Sequence, residues 1–460
     1  MQTTSTSLDV KALRDRVSGR VIAPGDDAFD SARMVMIGGI DRRPAAIVRV
    51  STARDVVETI RVARDGRLPL AIRSGGHSAT GAGVVDDGIV IDLRDLNALD
   101  IDVDARTAWA GAGLTAAEYS VAAGEHGLAT GFGDTGSVGI GGITLGGGVG
   151  YLVRKYGLTI DDLLGAEVVT ADGRILEVDA GHEPDLFWAI RGGGGNFGVV
   201  TRFHYRLHDV PSFVGGMLML PATADVVAEF IALAERAPDE LSTIANVMNC
   251  PPMPFVPAEH HGTLVVFAIM AFAGDEDAGQ KTLAPFRTLA TPIVDMLRPM
   301  PYAEIYPPDD PDYHPKAITR TMFVDSIDRD AASLIIDRLG ASDASVRAAQ
   351  LRVLGGAMAR VPVGATAFAH RASRIMVNVA VFFDGPDDLP ARQAWAEELA
   401  AGLRQGDTGA YVNFLGDEGE ERIRAAYPGR TFDRLAEIKA RYDPANLFRL
   451  NQNIRPAPPR

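Results

Sequence analysis

Three groups of residues have the types and spacing for chemistry. The first is the stretch Ile72-Arg73-Ser74-Gly75-Gly76-His77-Ser78. It follows Leu68-Pro69-Leu70-Ala71-Ile72, an apolar run that reads as a buried strand. Two adjacent glycines turn the backbone sharply and bare its N–H groups, which can cradle phosphate oxygens. His77 then sits beside whatever the loop binds; the plainer reading is a turn with an incidental histidine. The second group is the run from Thr130 to Gly150, dense in glycine. That density argues against a stable helix or an ordinary strand, so this backbone must pass something flat or charged at close range. The third is Tyr411 and Asn413 in a predicted strand over 410–415. Residues two apart in a strand share a face, and a tyrosine and an asparagine facing inward need polar partners or a ligand.

The elements that must position these residues alternate along the chain. A strand is predicted over 45–50, then a helix opened by the capping pair Thr52 and Asp55 and ended by Gly66. A strand over 88–93 follows, then a hairpin from 99–103 and 107–110. Thr115 and Glu118 open a second helix that stops by Gly127. Residues 166–178 read as a strand pair turning at Asp172-Gly173, 183–190 as a helix, and 199–207 as a strand. The stretch 208–221, with Pro211, Gly215, Gly216 and Pro221, reads as a boundary. Beyond it, helices over 226–236, 331–339 and 391–403 alternate with strands over 264–272 and 374–383, a sheet covered by helices. A last helix over 432–441 keeps Phe432, Leu435, Ile438 and Tyr442 on one side.

Composition narrows the function classes. At 460 residues, two domains are the prior. A hydrophobic share of 47% and a charged share of 23% are those of a soluble globular protein. A net charge of −15 argues against nucleic acid or an anionic membrane surface as partner. One cysteine, Cys250, excludes an internal disulfide and a zinc site with several thiolates. The polar stretch Met1 to Asp9 lacks a signal peptide's apolar region, and the longest apolar run, 264–273, is too short to span a bilayer. A cytoplasmic protein fits. His126 and the pair His260-His261 lack metal-like spacing, and Asp309, Asp310, Asp417, Glu418 and Glu420 read as solvated.

Gly193, Gly195 and Gly198 match a dinucleotide fingerprint literally. A strand follows them where that motif needs a helix N-terminus, and no acid lies about twenty residues on. They read instead as a glycine-lined turn against a ligand or another backbone. A single extended ligand with a pyrophosphate accounts for all three glycine-rich segments at once.

Motif order and spacing carry a resemblance. Arg73 to His77, Val138 to Gly142 with Gly146 to Gly148, Tyr156-Gly157-Leu158 with Asp161, Ala189 to Gly193 with Asn196 to Gly198, and Tyr442 to Asn446 with Phe448 together resemble the berberine bridge enzyme-like FAD-linked oxidases. These have the vanillyl-alcohol oxidase/p-cresol methylhydroxylase fold. The resemblance is strongest over 70–205 and 405–455 and thin over 210–400. It implies an α+β protein with a discontinuous FAD-binding domain (1–208 and 410–460) and a substrate domain (209–409) whose largely antiparallel sheet is covered by helices.

By that resemblance His77 carries FAD through a ring nitrogen bonded to the flavin 8α-methyl carbon. Many relatives add a cysteine link; the matching position here is Thr135, so a single bond is implied, similar to the bacterial hydroxynicotine oxidases. Arg73, Ser74, Gly75, Gly76 and Ser78, with Gly139, Gly141, Gly142, Gly146 and Gly148, would wrap the pyrophosphate and ribityl chain. Asn196, Gly198, Val199 and Asn451 would line the same site, and Val138 would stand where the family gates oxygen, a small residue similar to oxidases. Tyr411 and Asn413 match a Tyr-x-Asn motif whose tyrosine takes the substrate proton in several relatives; the other reading is a core-edge tyrosine with a satisfied hydroxyl. Such a base needs a cation nearby, and His370, Arg371 and Arg374 are candidates. A second tyrosine found in some relatives is Val149 here, with Tyr151 offset. The implied reaction is oxidation of a small alcohol, amine or sugar with O2 as acceptor. Two alternatives stand: a dehydrogenase using another acceptor, and a flavin-binding protein with a weakened site. Substrate identity and oligomeric state stay open.

Overall fold

The structure, a computed structural model, describes residues 8–458 except 309 and 311. Residues 1–7 and Asp309 of the expectations above lie outside the described residues.

Three sheets carry the molecule. In the first, strands Arg20–Ile22, Ala46–Arg49, Ile89–Asp92 and Leu70–Arg73 lie in that order. The last three run parallel, and their residues are almost all buried, as parallel strands covered on both faces must be. The helix Ala53–Asp65 between the second and fourth of them begins with the expected reciprocal cap of Thr52 and Asp55. Asp55 also accepts from Ser18 and Gly19 N–H (2.8 and 3.1 Å), so the cap ties down the N-terminal segment too. The second sheet is antiparallel: Leu99–Asp102, Thr107–Gly111, Val199–Arg206, Leu163–Val169, Ile175–Asp179. The second capping pair opens a helix over Ala116–Gly124.

The third sheet is the largest and wholly antiparallel. Its central strands are Val214–Pro221, Leu264–Phe272, Leu241–Asn249, Arg347–Val353, Ile375–Phe382 and Ala317–Val324, side by side in that order. Helices Ala224–Arg236, Arg329–Ala341 and Leu389–Leu403 cover one face, burying Phe230, Ile335 and Leu399 against Ala245, Leu351 and Val379. The alternate residues Asn246, Phe267, Gln350 and Asn378 point to the opposite face, which is only half-buried. After the last helix of this layer the chain returns to the first core. Helix Arg430–Tyr442 buries Phe432, Leu435, Ile438 and Tyr442 in one cluster with Ile190 and Phe197.

Four expectations are corrected. Within 130–150, Ile140–Gly146 is a helix despite its glycines. Packing overrides propensity there: Ile140 is buried, and buried Thr144 pairs with the Tyr205 hydroxyl (2.7 Å). Residues 410–415 are no strand; Val412–Phe414 form a single 3₁₀ turn. The stretch 208–221 is more than a boundary, because it contains strands His208–Asp209 and Val214–Pro221. Glu418 is not solvated: it is buried between Arg320 and Arg422 (3.7 and 3.6 Å). Among the described residues no helix is long and apolar enough to cross a membrane, and no group of three or more His, Cys, Asp or Glu could hold a metal.

Candidate active site

The strand Leu70–Arg73 delivers its last residue to a loop that is held from behind. The Arg73 guanidinium pairs with Asp92 (2.7 Å) and donates to the carbonyls of Ala32 and Met34 (2.6 and 3.2 Å), all away from water. Ser74 Oγ donates to Ala112 O (2.6 Å), which fixes the turn against the second sheet. Arg73 and Ser74 therefore position the loop, with their polar atoms already engaged. Gly75 lies on Gly139 backbone to backbone: a Cβ on Gly75 would stand 2.3 Å from Gly139 N, and one on Gly139 2.2 Å from Gly75 N. Any side chain at either position would part the two loops.

Behind that contact, Gly139 caps the helix Ile140–Gly146 without a side chain. The N–H groups of Gly141 and Gly142, in its first turn, have no acceptor within the helix. A Cβ on Gly142 would meet nothing within 4 Å, so this wall is bare and faces open space. The third wall is the turn 193–198, followed by the strand Val199–Arg206, which bears out rejection of the dinucleotide helix motif. The C-terminal segment laces this turn. Asn196 donates to Gly193 O and Gln452 O and accepts from Ile454 N–H (3.0, 3.2 and 3.0 Å). Asn451 donates to Gly195 O (2.9 Å). Underneath, the buried Lys439 ammonium donates to Asn196 O, Phe448 O and the Asp443 carboxylate (2.6, 2.9 and 2.6 Å).

These walls enclose a cavity of about 420 Å³. Of the residues expected there, Arg73, Ser74, Gly75, Gly76, His77, Ser78, Thr135, Val138, Gly139, Gly141, Gly142, Asn196, Gly198, Val199, Asn451, Tyr411 and Asn413 line it. Gly146 and Gly148 do not line this cavity: they stand behind it, against Asn413 and Tyr411 respectively. A Cβ on Gly146 would lie 1.9 Å from Asn413 Oδ1, so this glycine gives Asn413 its place.

Tyr411 and Asn413 meet without a shared strand face. The Tyr411 hydroxyl oxygen accepts from Gly148 N–H, Val149 N–H and Asn413 Nδ2 (3.0, 3.2 and 2.9 Å). Asn413 Nδ2 also donates to Ile143 O (3.1 Å), which fixes which end of the amide faces the phenol. All three neighbours are donors, which pull towards a phenolic oxygen without its proton. Burial pushes the Tyr411 phenol above its ordinary 10.0, against the pull of Val149 N–H, Asn413, Gly148 N–H and the Arg352 charge.

The cation expected from sequence is a different one. Arg371 is bound two-pronged to Asp161 (2.7 and 2.8 Å), Arg374 pairs with Glu235 (2.7 Å), and the His370 ring bonds to Ala426 O (3.1 Å). Arg352 lines the cavity instead, its guanidinium paired with Asp134, donating to Val149 O (3.3 Å) and lying over the Phe414 ring (5.0 Å). Asp134, Arg352, Thr319 and Asn378 were missed by the sequence reading. The signal existed in part: Asn378 is a polar residue inside the otherwise apolar strand Ile375–Phe382.

The cavity suits a long ligand with a diphosphate and a flat ring. Bare glycine backbone forms its walls, helical N–H groups without acceptors face it, and buried Asn451 Oδ1 has no partner among the described residues. The comparisons agree. The family described as FAD binding domain matches residues 44–179, and the one described as berberine and berberine like matches 410–455. The chain is 30% identical to (R)-6-hydroxynicotine oxidase of Paenarthrobacter nicotinovorans, over 96% of this chain and 97% of that protein. It is 30% identical to an FAD-linked oxidoreductase of Bacillus subtilis, over 96% of this chain and 99% of that one. The crystal structure of 6-hydroxy-D-nicotine oxidase from Arthrobacter nicotinovorans superposes with a TM-score of 0.84 at 28% identity, covering 96% and 98% of the two chains. The first two glycine walls, at 73–78 and 139–142, and the Tyr-x-Asn turn at 411–413 fall inside matched segments, and the chain belongs to the berberine bridge enzyme-like family of FAD-linked oxidoreductases.

Proposed function

We propose that this FAD-linked oxidoreductase is an oxidase that holds its flavin by one covalent bond, through His77. The observation that carries the reading is the convergence of His77, the glycine walls and Tyr411 on one cavity. Bound FAD supplies a two-electron acceptor that takes a hydride from a substrate C–H and returns both electrons to O2 as H2O2. The chain does the rest. His77 tethers the cofactor from the 73–78 loop, and Thr135 offers no second thiolate link. Gly139, Gly141, Gly142 and the 194–198 turn hold the diphosphate and ring against bare backbone. Tyr411, held by three N–H donors, receives the O–H or N–H proton of the substrate, and Asn413 sets its orientation. Val138 on the cavity wall leaves room for oxygen.

In the same reading, 1–208 and 410–460 hold the flavin, 209–409 covers the substrate, and the enzyme works on a small alcohol, amine or sugar in the cytoplasm. The separate core under the third sheet and the return of helix Arg430–Tyr442 to the first core support that division. Acid precipitation tests the tether: the yellow colour stays with denatured polypeptide and is released from His77→Ala. Peroxide formed in step with substrate under air supports the oxidase; turnover only with an artificial acceptor makes the enzyme a dehydrogenase. Colour without bleaching by any substrate of an alcohol, amine and sugar panel overturns both.

A further inference from the structure

The half-buried face of the third sheet carries a row of polar side chains. Strand register sets Thr321 opposite Asn378, Asn378 opposite Gln350, and Gln350 opposite Asn246. Residues paired across strands point to the same face. Their neighbours Met322, Val377, Leu351 and Ala245 lie under the helices, so this row faces the other way, towards the cavity side.

Two of its four members are saturated. Gln350 Nε2 donates to Asn246 Oδ1 (3.0 Å), and Asn246 Nδ2 donates to Phe267 O (3.3 Å). Gln350 Oε1 accepts from Arg352 Nε and Nη2 (2.9 and 2.6 Å), and Arg352 is further held by Asp134 and Val149 O. Asn378 is not saturated. It lines the cavity beside Thr319 and Arg352, and its Oδ1 is buried without a partner among the described residues. Thr321 Oγ1 across from it is unpartnered too, so the strand neighbour does not satisfy the amide. A buried amide without a partner is costly, and such groups in native proteins have a reason. The amide can turn about its last bond to present oxygen or nitrogen.

Charge at this end is compensated. Arg352 faces Asp134, and Arg73 at the other end faces Asp92. Ile143, Leu145, Val149, Val412, Phe414 and Leu415 supply an apolar frame around the polar group. An anion would have to lie beside the Asp134 carboxylate, with both arginines of the described lining already paired.

We propose that Asn378 is the residue that recognises the substrate, and that the substrate is an uncharged, ring-bearing molecule whose hydroxyl or amide hydrogen-bonds the Asn378 side-chain amide. This rests on the cavity being the flavin and substrate site. Benzamide and benzoate, equal in shape and different in charge, probe it through perturbation of the flavin absorption spectrum of the holoenzyme. Benzamide perturbs the spectrum and binds at least about tenfold tighter than benzoate, whose charge would lie uncompensated beside the Asp134 carboxylate. Asn378→Leu, matched in size, weakens benzamide about tenfold; Asn378→Val serves the same purpose if the leucine variant does not fold. Benzoate binding as tightly as benzamide, benzamide leaving the spectrum unchanged, or both variants binding benzamide like the parent overturns the proposal. Flavin content measured on the same samples separates this from failure of the site assignment, since protein without flavin refutes the earlier reading instead.

Discussion

Replacing Lys439 by methionine removes an ammonium that is completely buried and leaves its three acceptors behind. Burial pushes the Lys439 pKa down from its usual 10.5, while the Asp443 carboxylate pulls it up. The methionine fills similar space, so the cost comes from what is left behind. Breaking a buried pair by removing one partner costs about 3–5 kcal/mol. Asp443 keeps two backbone donors, Leu447 and Phe448 N–H (2.8 and 2.9 Å), so its charge is not wholly stranded. The carbonyls of Asn196 and Phe448 each lose a donor, at about 1 kcal/mol apiece. With the pair at the low end of its range, the two carbonyls bring Lys439→Met to roughly 5 kcal/mol of destabilisation. Urea denaturation followed by fluorescence measures it. The double variant with Asp443→Asn should recover part of the loss, because no carboxylate is then buried without its cation. A single-variant cost below about 1 kcal/mol, or a double variant worse than the two singles summed, would refute the reasoning.

Three further outcomes follow from particular contacts. Gly146→Ala puts a Cβ 1.9 Å from Asn413 Oδ1 and should lower turnover about a hundredfold by displacing Asn413, with flavin content unchanged; unchanged steady-state kinetics contradict it. Because burial raises the Tyr411 pKa, kcat/KM should climb into alkaline pH, the climb should vanish in Tyr411→Phe, and it should move to higher pH in Arg352→Gln, which lacks the charge that lowers that pKa; pH–rate profiles decide. Burial also raises the Asp162 pKa despite its bond to His208 (2.7 Å), so the folded state binds this proton more readily than the unfolded one. Stability from this group is then lost as pH rises from the unfolded value of 3.8 through the raised folded value, and the parent minus Asp162→Asn difference in denaturation midpoint should fall over that window; a rising difference sinks the argument.

What was readable in the sequence divides along physical lines. Capping pairs such as Thr52 with Asp55 are local, and both appear as read. The glycines of the cavity walls were legible because bare backbone at a ligand is a requirement on the residue itself. The helix Ile140–Gly146 was hidden because its stability lies in contacts with Leu114 and Tyr205, outside any local pattern. Tyr411 was found through its motif and placed by a wrong element, since a 3₁₀ turn and a short strand look alike over six residues. The cation was chosen from residues near in sequence, whereas Arg352 reaches the site through sheet register.

The lacing of the 193–196 turn by the C-terminal segment has a temporal meaning. Asn451 and Gly195, whose bond helps form one wall, stand 256 positions apart. A nascent chain that has emerged only through the large sheet has all three glycine walls and still lacks the Tyr411 turn and the segment that laces the third wall. That wall is therefore held in place only once residues 451–454 have been made and have docked on it.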